Sequence, residues 1–205
     1  MLAGKFIVFE GIDGAGKTTQ LQLLAGFLQN NDIPVLCTRE PGGTWIGGRL
    51  REVLLDQSCH NMSHRTEALL YAADRAQHVA EIIRPALNSG ITVLCDRFIY
   101  STLAYQGWGR NMDIALLEQI NELATDGLLP DAVVLLDLPV LDGLHRVLAH
   151  RSPDRLEGEQ EVFFQRVREG YLEQAAKLPQ IFRVLRGDGA VDDVHRHILA
   201  ALSDL

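Results

Sequence analysis

Five short, nearly continuous apolar stretches alternate with longer amphipathic ones along the chain. The short stretches lie at 5–10, 34–38, 92–96, 132–138 and 182–187. Their length and their lack of a polar face predict β-strands that are covered on both sides. The longer stretches predict helices near 17–30, 46–56, 65–88, 113–126, 140–150, 159–177 and 191–203.

This alternation predicts an α/β fold, because strands that are separated by helices form a parallel sheet with right-handed crossovers. No internal repeat, low-complexity tract or Pro/Gly/Ser-rich linker divides the sequence, so we expect one domain over residues 1–205. Ligands of such sheets bind at the carboxyl ends of the strands. The residues that follow each predicted strand are therefore the first candidates for a functional site.

The composition narrows the class of protein. Of the 205 residues 47% are hydrophobic and 22% charged, and the formal net charge of −8 argues against a broad nucleic-acid-binding surface. The three cysteines, Cys37, Cys59 and Cys95, lack metal-ligand spacing, and their odd number favours a reducing compartment. No apolar run reaches the ~18 residues of a membrane span, and the apolar start is too short for a signal peptide. We therefore expect a cytoplasmic protein that binds neither nucleic acid nor membrane.

The first predicted strand runs straight into GIDGAGKT at 11–18. The spacing G-x-x-x-x-G-K-T between a strand and a helix predicts a phosphate-binding loop, or P-loop. Its backbone N–H groups would face the phosphates of a nucleoside triphosphate, with Lys17 on the β- and γ-phosphates and Thr18 on Mg²⁺. For Asp13, a role as a turn former is about as good an explanation as a role in the site.

Polar residues also follow the second and third strands. In TREPGGTWIGGRLRE (38–52) a Pro-Gly-Gly corner could bring Glu40 and one arginine of the next helix to a ligand, although a connecting loop explains the pattern equally well. Asp96 and Arg97 follow the third strand, where a carboxylate could hold Mg²⁺ and a guanidinium could clamp a phosphate. We favour that interpretation over a purely structural Asp–Arg pair because a P-loop precedes it.

Two groups of side chains at four-residue spacing could read a base. Tyr71 and Arg75 share one face of a predicted helix, so the ring could stack on a base while the guanidinium donates to it. Ser101 and Tyr105, with Gln106 beside them, follow the third strand. Each group alone is more often packing or a solvated face. Their position next to strand ends that carry phosphate chemistry makes them candidates.

The polar loop HRSPDRLEGEQEVF (150–163) carries Arg151 and Arg155 between two predicted helices. These arginines could close over a transferring phosphoryl group as arginine fingers, which are worth roughly 10³–10⁵ in rate. A solvated loop is the alternative.

The motifs FEGIDGAGKTTQ, TREPGGT, LLYAADRAQH, DRFIYSTLAYQG and DRLE, in this order and spacing, closely resemble those of the bacterial thymidylate kinases. The resemblance runs from about residue 5 to about residue 195. It implies a P-loop fold with three layers (α/β/α), a five-stranded parallel sheet, a mobile lid at about 149–159 and a homodimer. It also implies phosphorylation of dTMP to dTDP with ATP and Mg²⁺, in dTTP biosynthesis.

The resemblance implies a role for each matching position. It assigns catalysis to Lys17, Arg97, Arg151 and Arg155, and the metal to Thr18 and Asp96. ATP would be bound by Gly11, Asp13, Gly14, Ala15, Gly16, Lys17, Thr18 and Thr19. The acceptor dTMP would be bound by Asp13, Glu40, Arg51, Tyr71, Arg75, Arg97, Ser101, Tyr105 and Gln106.

More finely, the resemblance implies that Tyr71 stacks on thymine, Arg75 donates to a thymine carbonyl and Tyr105 lies under the sugar. Some members of the family carry a catalytic arginine in the P-loop and others carry it in the lid. Because position 14 is glycine, this chain resembles the second kind.

Two other functions compete with this one. The first is a kinase for another nucleoside monophosphate, and the second is a nucleotide-dependent switch protein without an acceptor nucleotide. The sequence contains no Asn-Lys-x-Asp motif of the kind that reads guanine in GTPase switches.

Overall fold

The computed structural model describes residues 2–149 and 154–205. One sheet contains five parallel strands in the spatial order β2-β3-β1-β4-β5. The strands are β1 Phe6–Glu10, β2 Val35–Arg39, β3 Thr92–Asp96, β4 Ala132–Asp137 and β5 Phe182–Arg186. They nearly coincide with the five predicted strands, and the α/β fold with a five-stranded parallel sheet is confirmed.

The central strands are the buried ones. Strands β1, β3 and β4 are buried almost throughout, whereas the edge strands β2 and β5 are partly exposed. The register pairs Phe9 with Asp96 on one side and with Val134 on the other. The ends of β1 and β3 therefore lie side by side, which brings the P-loop next to Asp96 and Arg97. The prediction of burial on both faces was wrong for the edge strands, which have a neighbouring strand on one side alone.

The helices agree with the predicted ones except in two places. They are α1 Lys17–Asn30, α2 Trp45–Leu55, α3 His64–His78, α4 Arg84–Asn88, α5 Ile99–Thr102, α6 Ile114–Thr125, α7 Val140–Leu148, α8 Glu161–Lys177 and α9 Val191–Ala201. The predicted helix at 65–88 is one continuous helical run in which the π-helical turn Val79–Ile83 joins α3 to α4. Pro85 lies just after this turn, and a wider turn relieves the clash of its ring with the carbonyl of Glu81.

The second difference is a helical segment that the sequence did not predict. Helix α5 continues into the π-helical segment Leu103–Gly109. Residues 99–109 include two Tyr and two Gly, which are poor helix formers, so the helicity of this stretch depends on packing. The segment packs along α8, where the Trp108 ring covers Gly170. A Cβ on Gly170 would lie 2.8 Å from the Trp108 ring.

The helices form two groups. Helix α1 contacts α9 and strands β1, β2 and β3, whereas α8 contacts α5, α7, β4 and β5, and α3 contacts α2 and α6. The sheet lies between the group of α1 and the group of α8, and Phe6 and Phe9 of β1 and Leu24 of α1 are among the fully buried side chains. In the described ranges, no helix combines the length and the apolar character needed to cross a membrane.

Candidate active site

The P-loop forms the turn between β1 and α1 and is shaped by its glycines. Gly11 and Gly14 have positive φ angles of 135° and 79°. A Cβ on Gly14 would lie 2.5 Å from the carbonyl oxygen of Gly143 in α7, so the loop packs backbone against backbone. No side chain fits at position 14 without moving α7, which agrees with a P-loop that carries no arginine.

The loop opens into a cleft of about 970 Å³, at the upper end of the size range of small-molecule sites. Every predicted triphosphate-binding residue from 13 to 19 lines this cleft. Gly11 contributes its carbonyl oxygen, which accepts hydrogen bonds from Lys17 (3.0 Å) and from Arg97 (3.0 Å).

Lys17 is held over the P-loop by the loop itself. Its side chain is 7% exposed, and its Nζ donates to the carbonyl oxygens of Gly11 (3.0 Å) and Ile12 (2.9 Å). Burial and then the charge of Arg97 lower the pKa of this amine, while Asp96 and Asp13 oppose that change. The amine therefore sits among weak neutral acceptors that phosphate oxygens could replace.

Thr18 and Asp96 meet at the mouth of the loop. The Thr18 hydroxyl donates to the Asp96 carboxylate at 2.6 Å. Hydroxyl and carboxylate oxygens are ligands that Mg²⁺ accepts, and this ion usually keeps several waters beside substrate phosphates. Within residues 2–149 and 154–205 no group of three or more His, Cys, Asp and Glu side chains is placed to hold a metal. The pair thus fits an ion that arrives with a nucleotide, and does not form a protein cage.

Arg97 lies at the centre of a hydrogen-bond network. Its φ of 74° turns the chain sharply after β3. Its NH1 donates to Gly11, Ser101 and Tyr171, and its NH2 donates to Asp13 (2.8 Å) and Tyr105 (3.1 Å). The structure thus brings Asp13, Arg97, Ser101 and Tyr105 together as one cluster.

The carboxylate of Asp13 is held ionised by its neighbours. Burial acts to raise its pKa, but the charges of Arg97 and Lys17 outweigh burial and lower the pKa to about 2. The hydroxyl of Tyr105 donates a further hydrogen bond to it at 2.9 Å.

A second, narrower pocket adjoins the cleft. It is lined by the predicted acceptor-site residues Asp13, Glu40, Arg51, Tyr71, Arg75, Arg97, Ser101, Tyr105 and Gln106, together with residues 154, 156 and 157 of the lid-like loop. Four of the predicted residues, Asp13, Glu40, Arg51 and Arg97, line both the cleft and the pocket. The two cavities therefore share a wall.

Arg75 is deeply buried within this pocket wall, at 1% exposure. Its Nε donates to Glu40 at 2.8 Å, NH1 donates to Thr102 and Asn121, and NH2 donates to the carbonyl of Phe98. One N–H of NH2 remains for a ligand. Glu40 is thus a partner of Arg75 as well as a wall residue, which the sequence did not indicate.

Neither of the two arginines predicted to act from the lid, Arg151 and Arg155, is among the described residues that line the cleft. Arg151 lies outside the described residues. Arg155 is not among the residues that line the P-loop cleft; its NH1 pairs with Glu67 at 2.7 Å and its Nε donates to the carbonyl of Leu54 at 2.8 Å. In this conformation Arg155 is anchored to α2 and α3.

Three residues of the site were not predicted from the sequence. Glu10 is fully buried under Arg97 and accepts hydrogen bonds from Ser101 and Tyr171. Arg146 reaches the P-loop, where its NH1 donates to the carbonyl of Gly14 at 3.1 Å. Glu67 lies four residues before Tyr71, and that helical spacing is the one signal that could have drawn attention to it.

Comparisons with known proteins agree with this geometry. The family profile described as thymidylate kinase matches residues 9–198. A curated thymidylate kinase of Pelotomaculum thermopropionicum is 50% identical over 205 residues, covering 100% of this chain and 95% of that protein. One from Desulforudis audaxviator is 54% identical over 188 residues, with 91% and 85% covered.

A solved structure points the same way. The crystal structure of thymidylate kinase from Ehrlichia chaffeensis superposes with a TM-score of 0.79 at 35% identity, over 97% of this chain and 98% of that one. On the strength of the profile, the relatives and the shared fold, this chain belongs to the thymidylate kinase family.

Proposed function

We propose that this chain transfers the γ-phosphoryl group of ATP to dTMP, giving dTDP and ADP. The observation that carries the proposal is the shared wall, since the P-loop cleft and the pocket with Tyr71 and Arg75 meet at Asp13 and Arg97. A donor phosphate in the cleft and an acceptor phosphate from the pocket would both reach Arg97. A nucleotide switch has no use for the second cavity.

On the donor side, Lys17 would exchange the carbonyls of Gly11 and Ile12 for β- and γ-phosphate oxygens, a stronger, charge-assisted interaction. Thr18 and Asp96 would hold Mg²⁺, which neutralises charge on the phosphates when bound. The glycine backbone of the loop would supply further N–H donors.

On the acceptor side, Tyr71 would stack on thymine and Arg75 would donate its remaining N–H to a carbonyl. The Nε of Arg97 has no acceptor in the described chain and would face the monophosphate. Because its other nitrogens are fixed by neighbours, this guanidinium loses little freedom on binding.

The transfer needs no strong general base, because the attacking oxygen of dTMP is already an anion at neutral pH. Catalysis is positioning and charge neutralisation by Lys17, Arg97 and the lid arginines. Arg155 would have to leave Glu67 to take part, so we propose that the lid closes further when both substrates are bound. Such closure would exclude water and limit wasteful hydrolysis of ATP.

The same proposal places the enzyme in the cytoplasm, as a homodimer that serves dTTP synthesis. The apolar side chains Leu69 on α3, and Leu116 and Leu123 on α6, are 51%, 42% and 86% exposed. A second copy of the chain would cover them.

The test is ADP release with Mg-ATP and a panel of nucleoside monophosphates. We expect strong turnover with dTMP, abolished by Lys17→Ala and retained by the matched control Lys5→Ala, whose amine pairs with Asp131 away from the cleft. Equal ADP release without any acceptor would support a switch protein, and preference for another monophosphate would support the rival kinase. Either result would overturn the proposal.

A further inference from the structure

The carboxylate of Glu67 is the meeting point of a buried polar cluster beside the acceptor pocket. Its side chain is fully buried on α3. It accepts hydrogen bonds from Gln106 (2.8 Å) and Arg110 (3.3 Å) and pairs with Arg155 (2.7 Å). Tyr71, one turn further along the same helix face, lines the pocket.

Glu67 stays ionised in this setting. Burial acts to raise its pKa, but the hydrogen bond from Gln106 and the charge of Arg110 outweigh burial and lower the pKa. An ionised carboxylate accepts hydrogen bonds and donates none. Its partner group on Gln106 must therefore be the amide nitrogen, as the 2.8 Å contact to Nε2 has it.

This bond fixes the polarity of the Gln106 side chain. An amide has a donor end and an acceptor end, and the donor end is turned to Glu67. Gln106 is 2% exposed and lines the acceptor pocket, and within the described ranges its amide oxygen has no hydrogen-bond partner. A base in the pocket therefore meets a hydrogen-bond acceptor at Gln106 and a donor at Arg75. The guanidinium of Arg75 can only donate, because it has no acceptor atom.

We propose that Glu67 determines base specificity indirectly, as a positioning residue that orients the Gln106 amide so that the pocket accepts a base with a carbonyl beside a ring N–H. The proposal rests on the proposed function, because it takes the acceptor to be a pyrimidine nucleotide. Thymine and uracil present that edge. Cytosine presents an amine beside a ring nitrogen with a lone pair, so both of its groups face the wrong partner.

Glu67→Gln tests the inference, because the new amide can donate and lets Gln106 turn over. We expect the ratio of kcat/KM for dTMP to that for dCMP to fall about tenfold or more, through opposite changes in the two KM values. The matched control is Glu159→Gln. It removes the charge of a carboxylate that pairs with Arg110, which is also a partner of Glu67, and it leaves the hydrogen bond between Gln106 and Glu67 intact. It should keep the wild-type ratio.

The conservative variant Glu67→Asp still accepts without donating and should retain the preference for dTMP even if turnover drops. An unchanged ratio in Glu67→Gln, or an equal loss of preference in Glu159→Gln, would overturn the inference. Should Glu67→Gln fail to fold, the size-matched pair Glu67→Asp and Glu67→Asn makes the same comparison.

One measurement needs no variant. Wild-type enzyme should bind dTMP at least tenfold more tightly than its N3-methyl derivative, which lacks the ring N–H, and equal affinities would refute the inference. If wild-type enzyme does not phosphorylate dTMP at all, the proposed function fails first, and the two failures are thereby distinguished.

Discussion

Arg97 and Arg75 differ from surface arginines in that the protein supplies most of their hydrogen-bond acceptors. Arg75 binds Glu40 and Phe98 in the loops after β2 and β3, and Thr102 and Asn121 on helices α5 and α6. Such arginines are held before a ligand arrives, so binding energy is not used to order them.

Asp74 is a buried acid beside the loop that carries Glu40, and it gives a prediction for the pH dependence of stability. Asp74 accepts a hydrogen bond from the backbone of Gly42, and burial, then the charge of Glu40, raise its pKa to about 6. Its value in an unfolded chain is about 3.9, so between those values the folded state holds the extra proton. Stability from this group is therefore present at low pH and is lost as the pH rises towards 6.

Asp74→Asn does not titrate and still accepts the bond from Gly42. We expect its free energy of unfolding, relative to wild type, to rise by about 2 kcal/mol between pH 4 and pH 7. Urea denaturation at both pH values measures this difference. A constant difference across that range would contradict the raised pKa.

At the level of single residues, the sequence predicted positions better than partners. Lys17, Asp96 and Arg97 line the cleft at the ends of β1 and β3, and Tyr71 and Gln106 line the adjoining pocket, while their roles stay predictions. Glu67 escaped notice because a glutamate in an amphipathic helix is usually solvated, and its partners are brought to it by tertiary folding alone.

The contact between α8 and the π-helical segment Leu103–Gly109 determines the position of Tyr105 and Gln106. Gly170→Ala would bring a Cβ within 2.8 Å of the Trp108 ring, so we expect a loss of about 1–3 kcal/mol in the free energy of unfolding. The control is Gly26→Ala in α1, where nothing lies within 4 Å and helix propensity predicts a gain of about 0.5–1 kcal/mol. Denaturant titration should show changes of opposite sign in the free energy of unfolding of the two variants. A change of the same sign in both would argue against close packing at Gly170.

Arg155 lies on the lid-like loop, and the proposed closure predicts a kinetic signature for it. Arg155→Ala should lower kcat by about 10³-fold or more while changing KM for dTMP little, because the arginine would act in the transition state. Arg49→Ala, which removes an exposed arginine paired with Glu52, is the control. Unchanged kcat in Arg155→Ala would leave the ion pair with Glu67 as a purely structural feature.

The elements themselves were largely predictable because apolar runs and amphipathic periods survive in the sequence. The segment Ile99–Gly109 was not, since its helical form comes from packing on α8 rather than from its own propensity. The π-helical turn before Pro85 likewise depends on how a proline is accommodated inside an otherwise regular pattern.

The whole molecule carries a net charge of −8 and yet holds an arginine- and lysine-lined cleft for anions. Under the proposed function, repulsion between the protein and its nucleotide substrates would be overcome locally, by Lys17, Arg97 and the P-loop amides. We therefore expect specific binding to depend on those few groups and not on a general positive surface.

The proposed dimer is tested at the same scale. Wild type should sediment as twice its 22.7 kDa chain mass, and Leu123→Glu should shift it to monomer by burying a charge in the interface. Leu141→Glu, at a 52% exposed position on α7, should leave the dimer intact. A monomeric wild type, or a dimer in Leu123→Glu, would reject this interface.

The backbone contact between Gly14 and Gly143 restricts how this chain could change its catalytic design. A Cβ at Gly143 would lie 2.6 Å from the Asp13 carbonyl, just as one at Gly14 would lie 2.5 Å from the Gly143 carbonyl. Neither position can therefore accept a larger residue while the other backbone stays where it is. A mutational path that moved the proposed catalytic arginine from the lid-like loop into the P-loop would first have to displace α7, the helix that precedes that loop.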